Sequence, residues 1–280
     1  MNYRHAFHAG NFADVMKHAL MARILLHLKA KDTAFRYHDT HAGIGYYDLA
    51  GHEAQRTGEA DFGVRRFLAA PQPPGIELLF RPYVDVLRAV GAHVHPVYPG
   101  SPMIAAQMLR PQDRLMLAEL HEEDHSALQS RFRRDDRVKV VPMDGWQAVR
   151  AWSPPLERRG LMLIDPPFEQ KDEFQRMTKA LVEAHRRWAT GIFALWYPVK
   201  TRREVEDFML GLQDTGISKI LRLELRIGPF GQGLAGSGLI VVNPPWKLAD
   251  EARGMLKHLA KIFVDGRPGH ALVGWVAGEE

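Results

Sequence analysis

The chain has no cysteine. That excludes disulfides, thiolate metal sites and a cysteine nucleophile, and it accords with a reducing compartment. No apolar run approaches the roughly 18 residues that a membrane-spanning helix needs. The opening MNYRHAFHAG is not followed by an apolar core of signal-peptide length. Charge of one sign is scarce: 37 Lys and Arg stand against 33 Asp and Glu, a net charge of +4. So mild a basic excess is compatible with a polyanionic partner but does not demand one. Internal repeats and low-complexity tracts are also missing. The expectation is a soluble cytoplasmic protein whose 280 residues form one large domain, or one domain with an insertion.

What is present centres on residues 161–168, LMLIDPPF. Four apolar residues are too few for a helix, and a double proline ends them, so they read as a buried strand. Asp165 then stands at the carboxyl end of a strand, where open α/β sheets place their ligands. Pro166 and Pro167 have fixed φ and no N–H, which leaves a stiff backbone with free carbonyls. Phe168 adds a flat apolar face. A carboxylate, a carbonyl and a ring suit a planar base with an exocyclic amine. Two acceptors take its hydrogens, and the plate stacks on its ring. The tetrapeptide resembles the (Asp/Asn/Ser)-Pro-Pro-(Tyr/Phe/Trp) signature of amino-methyltransferases, which methylate exocyclic nitrogens of adenine or cytosine.

The surroundings supply an order. Residues 12–28 have helical spacing, with Val15, Ala19, Ala22 and Leu26 on one face, Asn11 as N-cap and Asp14 in the first turn. Lys17 and His18 lie on this helix. A short strand at 33–38 runs into DTHAGIG, residues 39–45, a glycine-containing turn that lets backbone approach a ligand closely. An acidic strand end is expected about 20 residues later in a doubly wound nucleotide-binding sheet. Here it comes only with RLMLAE, ending at Glu119. The gap, with helical pieces at 61–68 and 76–90, implies a helical insertion over about residues 50–98. PGSPMIAAQML then starts a helix, with Ser101 as N-cap and Pro102 at its first position. A third strand at 138–141 precedes Met143-Asp144-Gly145-Trp146, and the fourth is 161–164. A glycine loop, a strand-end Glu, an Asp-Gly and DPPF, in that order, fit S-adenosylmethionine. The loop lies under its methionine end, Glu119 takes the ribose hydroxyls, Asp144 lies near the adenine amine, and Asp165 marks the reacting site. Further strands follow at 191–197, ended by Pro198, at 219–227, and last at 239–242. Helices fill 174–188, 202–212 and 248–262, and a tail contains 272–276.

Three other patterns weigh less. His121-Glu122-Glu123-Asp124-His125 fits H-E-x-x-H, but it follows a strand directly, so His121 falls in the turn, the helix starts near Asp124, and no metal is expected. Gly231-Gln232-Gly233-Leu234-Ala235-Gly236 fits G-x-G-x-x-G, yet it leads into a strand instead of opening a helix. Asn243-Pro244-Pro245-Trp246 repeats the signature too late in the chain, with no acidic strand end before it, and reads as structural punctuation.

Taken together, YRHAFHAGNFADVMKH, DTHAGIG, YPGSP, AELH, MDGW, LIDPPFE, TGIFALWYPV, SGLIVVNPPWKL and GHALVGW resemble the bacterial family of ribosomal RNA large subunit methyltransferase J, over essentially the whole length. The resemblance implies an α/β fold: a Rossmann-like class I methyltransferase sheet with an inserted helical subdomain and an N-terminal helical extension. It implies S-adenosyl-L-methionine as cofactor and the N6 of a flipped-out adenine in 23S ribosomal RNA as acceptor. It implies that His18, His41, Ser101, Glu119, Asp144, Gly145 and Asp165 contact the cofactor, with Asp165 catalytic. It also implies that Tyr3 meets the RNA, beside Pro166 and Phe168. Phe168 stands where the family often has Tyr, so a hydroxyl is lost but stacking is kept. Arg4, His5 and His8 join Tyr3 in a basic-aromatic arm suited to phosphates and unstacked bases. The chain is expected to act as a monomer. Two other readings stay open at this stage: a DNA adenine-N6 methyltransferase, and a nucleic-acid-binding protein without catalysis.

Overall fold

Strand β6 (Gly160–Ile164) explains its own sequence. The computed structural model describes residues 4–264 and 269–278. In it Gly160–Ile164 forms a strand with every residue buried. Leu161 and Leu163 join the core on one face of the sheet, and Met162 and Ile164 join the core on the other. A strand covered on both faces needs apolar residues at every position, not alternate ones.

In chain order the elements are α1 (Phe12–Lys29), β1 (Arg36–Asp39), β2 (Tyr46–Asp48), α2 (His52–Thr57), α3 (Arg66–Ala69), α4 (Pro74–Ala89), β3 (Val97–Pro99), α5 (Ser101–Met108), β4 (Arg114–Ala118) and α6 (Glu122–Phe132). There follow β5 (Val138–Val141), α7 (Gly145–Ala151), β6, α8 (Glu173–Arg187), β7 (Ile192–Val199), α9 (Arg202–Gln213), β8 (Ile220–Arg226), β9 (Gly236–Val242), α10 (Leu248–Ile262) and β10 (His270–Ala277). Eight strands make one sheet in the order β10-β8-β9-β7-β6-β1-β4-β5. β1 runs parallel to both β4 and β6, with Asp39 level with Leu117 and Leu163. The chain order reverses about β1, so the crevice at the carboxyl ends of β1, β4 and β6 is the topological switch point. This is the α/β class I methyltransferase architecture.

Helix α1 is buried on almost every side and touches α4, α5, α10 and β9. The single apolar face read from its sequence is therefore too narrow a description. Leu26, placed on that face, is 38% exposed, while Met16, Leu20 and Ile24 are fully buried. Asn11 does cap the helix, its side-chain oxygen accepting from the Asp14 N–H at 2.9 Å.

Several expected boundaries move. β1 begins at Arg36 instead of 33. β2 and β3 were not anticipated. They pair antiparallel, Tyr46 opposite Pro99, and bring together the two ends of the segment that carries α2, α3 and α4. Gly100, not Ser101, is the N-cap of α5, and Ser101 is its first residue. Pro198 does not end β7, which continues to Val199. Pairing with β6 stops at Leu195, and beyond it only β9 is paired, so a missing N–H is tolerated there. The strand at 239–242 starts earlier, at Gly236, and is not the last: residues 270–277 form β10, antiparallel to β8. No helix among the described residues is long and apolar enough to cross a membrane.

Candidate active site

The crevice at the switch point opens into a cavity of about 690 Å³. Asp165, Pro166 and Phe168 line it from the end of β6, and His41 lines it from the loop after β1. Ser101 comes from the start of α5, Glu119 from the end of β4, and Asp144 and Gly145 from the start of α7. His18 reaches it from α1. Nine of the ten residues singled out from the sequence thus share one cavity. The tenth, Tyr3, lies outside the described residues.

The sequence reading gave Lys17 no role, yet the site is built around it. Its side chain is 4% exposed, and its Nζ lies 2.5 Å from Asp165 Oδ2 and 3.0 Å from Asp14 Oδ1. Burial alone would discharge it, but the two carboxylates outweigh that and hold the ammonium above its usual range. Asp14 also accepts from His5 Nε2 and from the Gly10 N–H, each at 2.9 Å. Burial pushes the Asp14 carboxyl up, and its interactions with His5, Lys17 and His18 more than reverse it, leaving it well below the usual carboxylate range. Lys17 further lies 5.5 Å from the Trp196 ring centroid. The available signal was a lysine on a helix with apolar residues on all sides, since such a charge needs a partner.

The loops around this ion cluster are tightly held. Asp39 is fully buried and its carboxyl is pushed up to about 6 by that burial, although the Ser101 hydroxyl and Tyr37 act against the shift. Glu119 accepts from the Gly43 N–H on Oε2 and from the His121 N–H on Oε1, both at 2.8 Å. Burial raises its pKa as well. Asp144 caps α7 through Oδ1, which accepts from the N–H groups of Trp146 and Gln147 at 3.0 and 3.1 Å. Its other oxygen is free of that duty. A Cβ on Gly145 would stand 2.4 Å from His41 Nε2 and 2.4 Å from the Thr40 carbonyl, so only glycine fits. His41 is held down to about 4 by burial and meets Trp146 edge-on at 5.3 Å.

Phe168 has φ +51°, a left-handed conformation that is uncommon for a bulky residue. Its ring makes edge-to-face contacts with Phe174 at 5.0 Å and Trp196 at 5.7 Å. Backbone strain of this kind gathers at ligand sites. The second signature copy sits far from here. β9 is antiparallel to β7, with Val242 opposite Phe193, so Asn243 emerges at the opposite end of the strands, beside the start of β7. The Asn243 side-chain amide donates to the carbonyls of Ala189 and Gly191, and Trp246 is 82% exposed. The G-x-G-x-x-G run is a loop entering β9, and its Leu234 lines the cavity. In the H-E-x-x-H run, His121 is the cap of α6, and the helix starts at Glu122 instead of near Asp124. The N-terminal arm is not a free basic patch: Arg4 lies 3.3 Å from Asp124, and His8 lies 2.9 Å from Glu59.

Residues 32–277 match the family model described as RsmJ, Ribosomal RNA large subunit methyltransferase D, RlmJ. Ribosomal RNA large subunit methyltransferase J of Escherichia coli strain K12 is 44% identical over 282 residues, covering 100% of both chains. The protein of the same name from Haemophilus influenzae is 42% identical over 283 residues, again covering 100% of both. Among solved structures, protein LPL1258 from Legionella pneumophila superposes with a TM-score of 0.86 at 34% identity, covering 96% of this chain and 98% of that one.

Proposed function

The chain belongs to the ribosomal RNA large subunit methyltransferase J family, and on that premise we propose that it methylates the exocyclic N6 of one flipped-out adenine in 23S ribosomal RNA. It is a methyltransferase, and its methyl donor is S-adenosylmethionine. The observation that carries the choice of acceptor is the carboxylate, prolyl carbonyl and aromatic ring of residues 165–168 standing together on one cavity wall.

The residues present fit the cofactor. A cavity of about 690 Å³ lies in the range of about 300–1,000 Å³ usual for such ligands. Gly145 leaves backbone bare beside His41, a cradle that any Cβ would fill. Glu119 keeps lone pairs for a ribose diol, Asp144 keeps an oxygen for an adenine amine, and His18, His41 and Ser101 complete the wall. The bound cofactor supplies an electrophilic methyl on a sulfonium.

The chain's own residues do the rest. Lys17 takes Asp165 Oδ2, which leaves Oδ1 for the acceptor amine. The Pro166 carbonyl takes the second amine hydrogen. Both bonds favour a pyramidal nitrogen with its lone pair turned out of the ring. Flipping the base costs a few kcal/mol, and stacking on Phe168 returns about 1–3 kcal/mol. By fixing the amine where a bound donor would present its methyl, these residues would supply much of the rate through alignment. The amine proton leaves to Asp165 Oδ1, or through it to water. We further place residues 50–98 as an inserted helical subdomain clasped by β2 and β3, and the enzyme as a cytoplasmic monomer acting on free or partly assembled RNA.

Radiolabelled methyl transfer to RNA from cells lacking the protein, followed by mapping, tests this. Naked 23S RNA, assembled large subunits and duplex DNA are the three arms. One N6-methyladenine in 23S RNA is the expected product. Label in DNA instead, or on cytosine, overturns the proposal. Transfer should also fall as salt rises, since phosphate contacts release counterions.

A further inference from the structure

Behind His18 runs a buried chain of two hydroxyls. His18 Nδ1 lies 2.7 Å from the Tyr98 hydroxyl, and Tyr98 lies 3.0 Å from the Tyr83 hydroxyl. His18 is 1% exposed and both tyrosines are fully buried. Tyr98 belongs to β3 and Tyr83 to α4, so the chain joins the cavity wall to the helical segment between β2 and β3. Distances alone leave the direction of these bonds open.

The proton count fixes it. Burial pushes both phenols above their usual range, so each keeps its hydrogen. Burial pushes His18 down to about 3, so its imidazole is neutral and carries one N–H. If Nδ1 carried that hydrogen, it would donate to Tyr98, and Tyr98 would donate to Tyr83. The Tyr83 hydrogen would then be buried with no acceptor, because Tyr83 has no other hydrogen-bond partner among the described residues. The bare Nε2 lone pair would also face the Asp14 carboxylate at 4.0 Å. In the reverse direction Tyr83 donates to Tyr98, and Tyr98 donates to Nδ1. Nε2–H then points toward Asp14 and the cavity. Both buried phenol hydrogens are then used, and the imidazole hydrogen, at the cavity wall, faces a negative charge 4.0 Å away.

We infer that Tyr83 and Tyr98 are positioning residues that lock His18 in its Nε2–H tautomer and so present a hydrogen-bond donor to the cavity. The inference rests on the cavity being the cofactor site, where this donor matches an acceptor oxygen such as a carboxylate on the methionine end. The tautomer itself does not depend on that reading.

Nitrogen-15 spectra of histidine-labelled protein, with His18 assigned against His18→Asn, report the tautomer directly. Protonated Nε2 and bare Nδ1 are expected in the wild type. Tyr98→Phe removes the donor to Nδ1, so the Nδ1–H form should gain population. S-adenosylmethionine affinity by calorimetry should weaken about tenfold in Tyr98→Phe and by less in Tyr83→Phe. A wild-type ring protonated at Nδ1 overturns the inference, and that measurement stands even if the variants fail to fold. The expected tautomer with unchanged affinity in a folded Tyr98→Phe also overturns it, because the donor then does not serve the cofactor. Wild-type protein that binds no S-adenosylmethionine is a different failure, that of the cavity's assignment.

Discussion

Replace Lys17 with methionine and two carboxylates lose their shared cation. The new side chain fills much of the same volume, so the change is mainly electrostatic. Lys17 is 4% exposed, Asp14 2% and Asp165 16%, so water compensates little. Breaking a buried pair from one side costs about 3–5 kcal/mol, because the remaining charge is stranded. Asp14 retains His5 and the Gly10 N–H, which places the expected loss near about 3 kcal/mol. For a chain of this size that lowers Tm by about 6 °C. The acid limb should move too. Asp14 has a depressed folded pKa, so its stabilisation is present above the unfolded value of about 3.9 and is lost as pH falls through the folded value. Without Lys17 the folded value rises, and acid unfolding begins at higher pH. Asp165 also loses its anchor, and under the proposed mechanism its misplacement costs about 100-fold in kcat. Thermal unfolding at several pH values and single-turnover methyl transfer measure these effects. A cycle with Asp165→Asn should show the two changes to be less than additive, by about 2 kcal/mol. A Tm drop below about 2 °C together with kcat within threefold of wild type would refute the reasoning, since a surface-like pair behaves that way.

Asp165→Ala is expected to fold and to bind S-adenosylmethionine weakly while transferring no methyl; retained activity would remove Asp165 from its role. Gly145→Ala puts a Cβ 2.4 Å from His41 Nε2, so calorimetry should show cofactor affinity weakened by tenfold or more, about 1.4 kcal/mol. Stability should fall as pH drops from about 6.5 toward 4, because His18, His38 and His41 are held by burial near 3, 3 and 4 while the unfolded chain protonates them. Three such groups give at most about 4 kcal/mol per pH unit, and a urea series with a flat midpoint over that range would contradict it.

The parts of the fold that were legible are those with a local cause. Residues 161–164 are apolar throughout because both faces of β6 are covered, and the two prolines mark where it stops. α10 was bounded correctly because a strong apolar stripe meets clear ends. β2 and β3 left no trace because three residues carry no periodicity, and they pair only through the contact of distant chain. β10 looked like a tail because its partner β8 lies far back in sequence. Pro198 was misread because a rule about missing donors depends on which neighbours a strand has, and that is a tertiary fact. At the site, Glu119, Asp144 and Asp165 could be picked out because each follows a strand and points to the same end of the sheet, whereas His18 and His41 came only with the family resemblance. Lys17 could not, since nothing local to a helix says which carboxylate will meet it. Ser101 was read as the cap of α5, which it is not; its hydroxyl acts on Asp39 instead.

The placement of α1 has a consequence for biosynthesis. The helix that carries Lys17 leaves the ribosome before β9 and α10, which wall it in, have been translated. A nascent chain therefore holds that ammonium with part of its enclosure unmade, and catalytic competence arrives only when the late segments have closed over the early one.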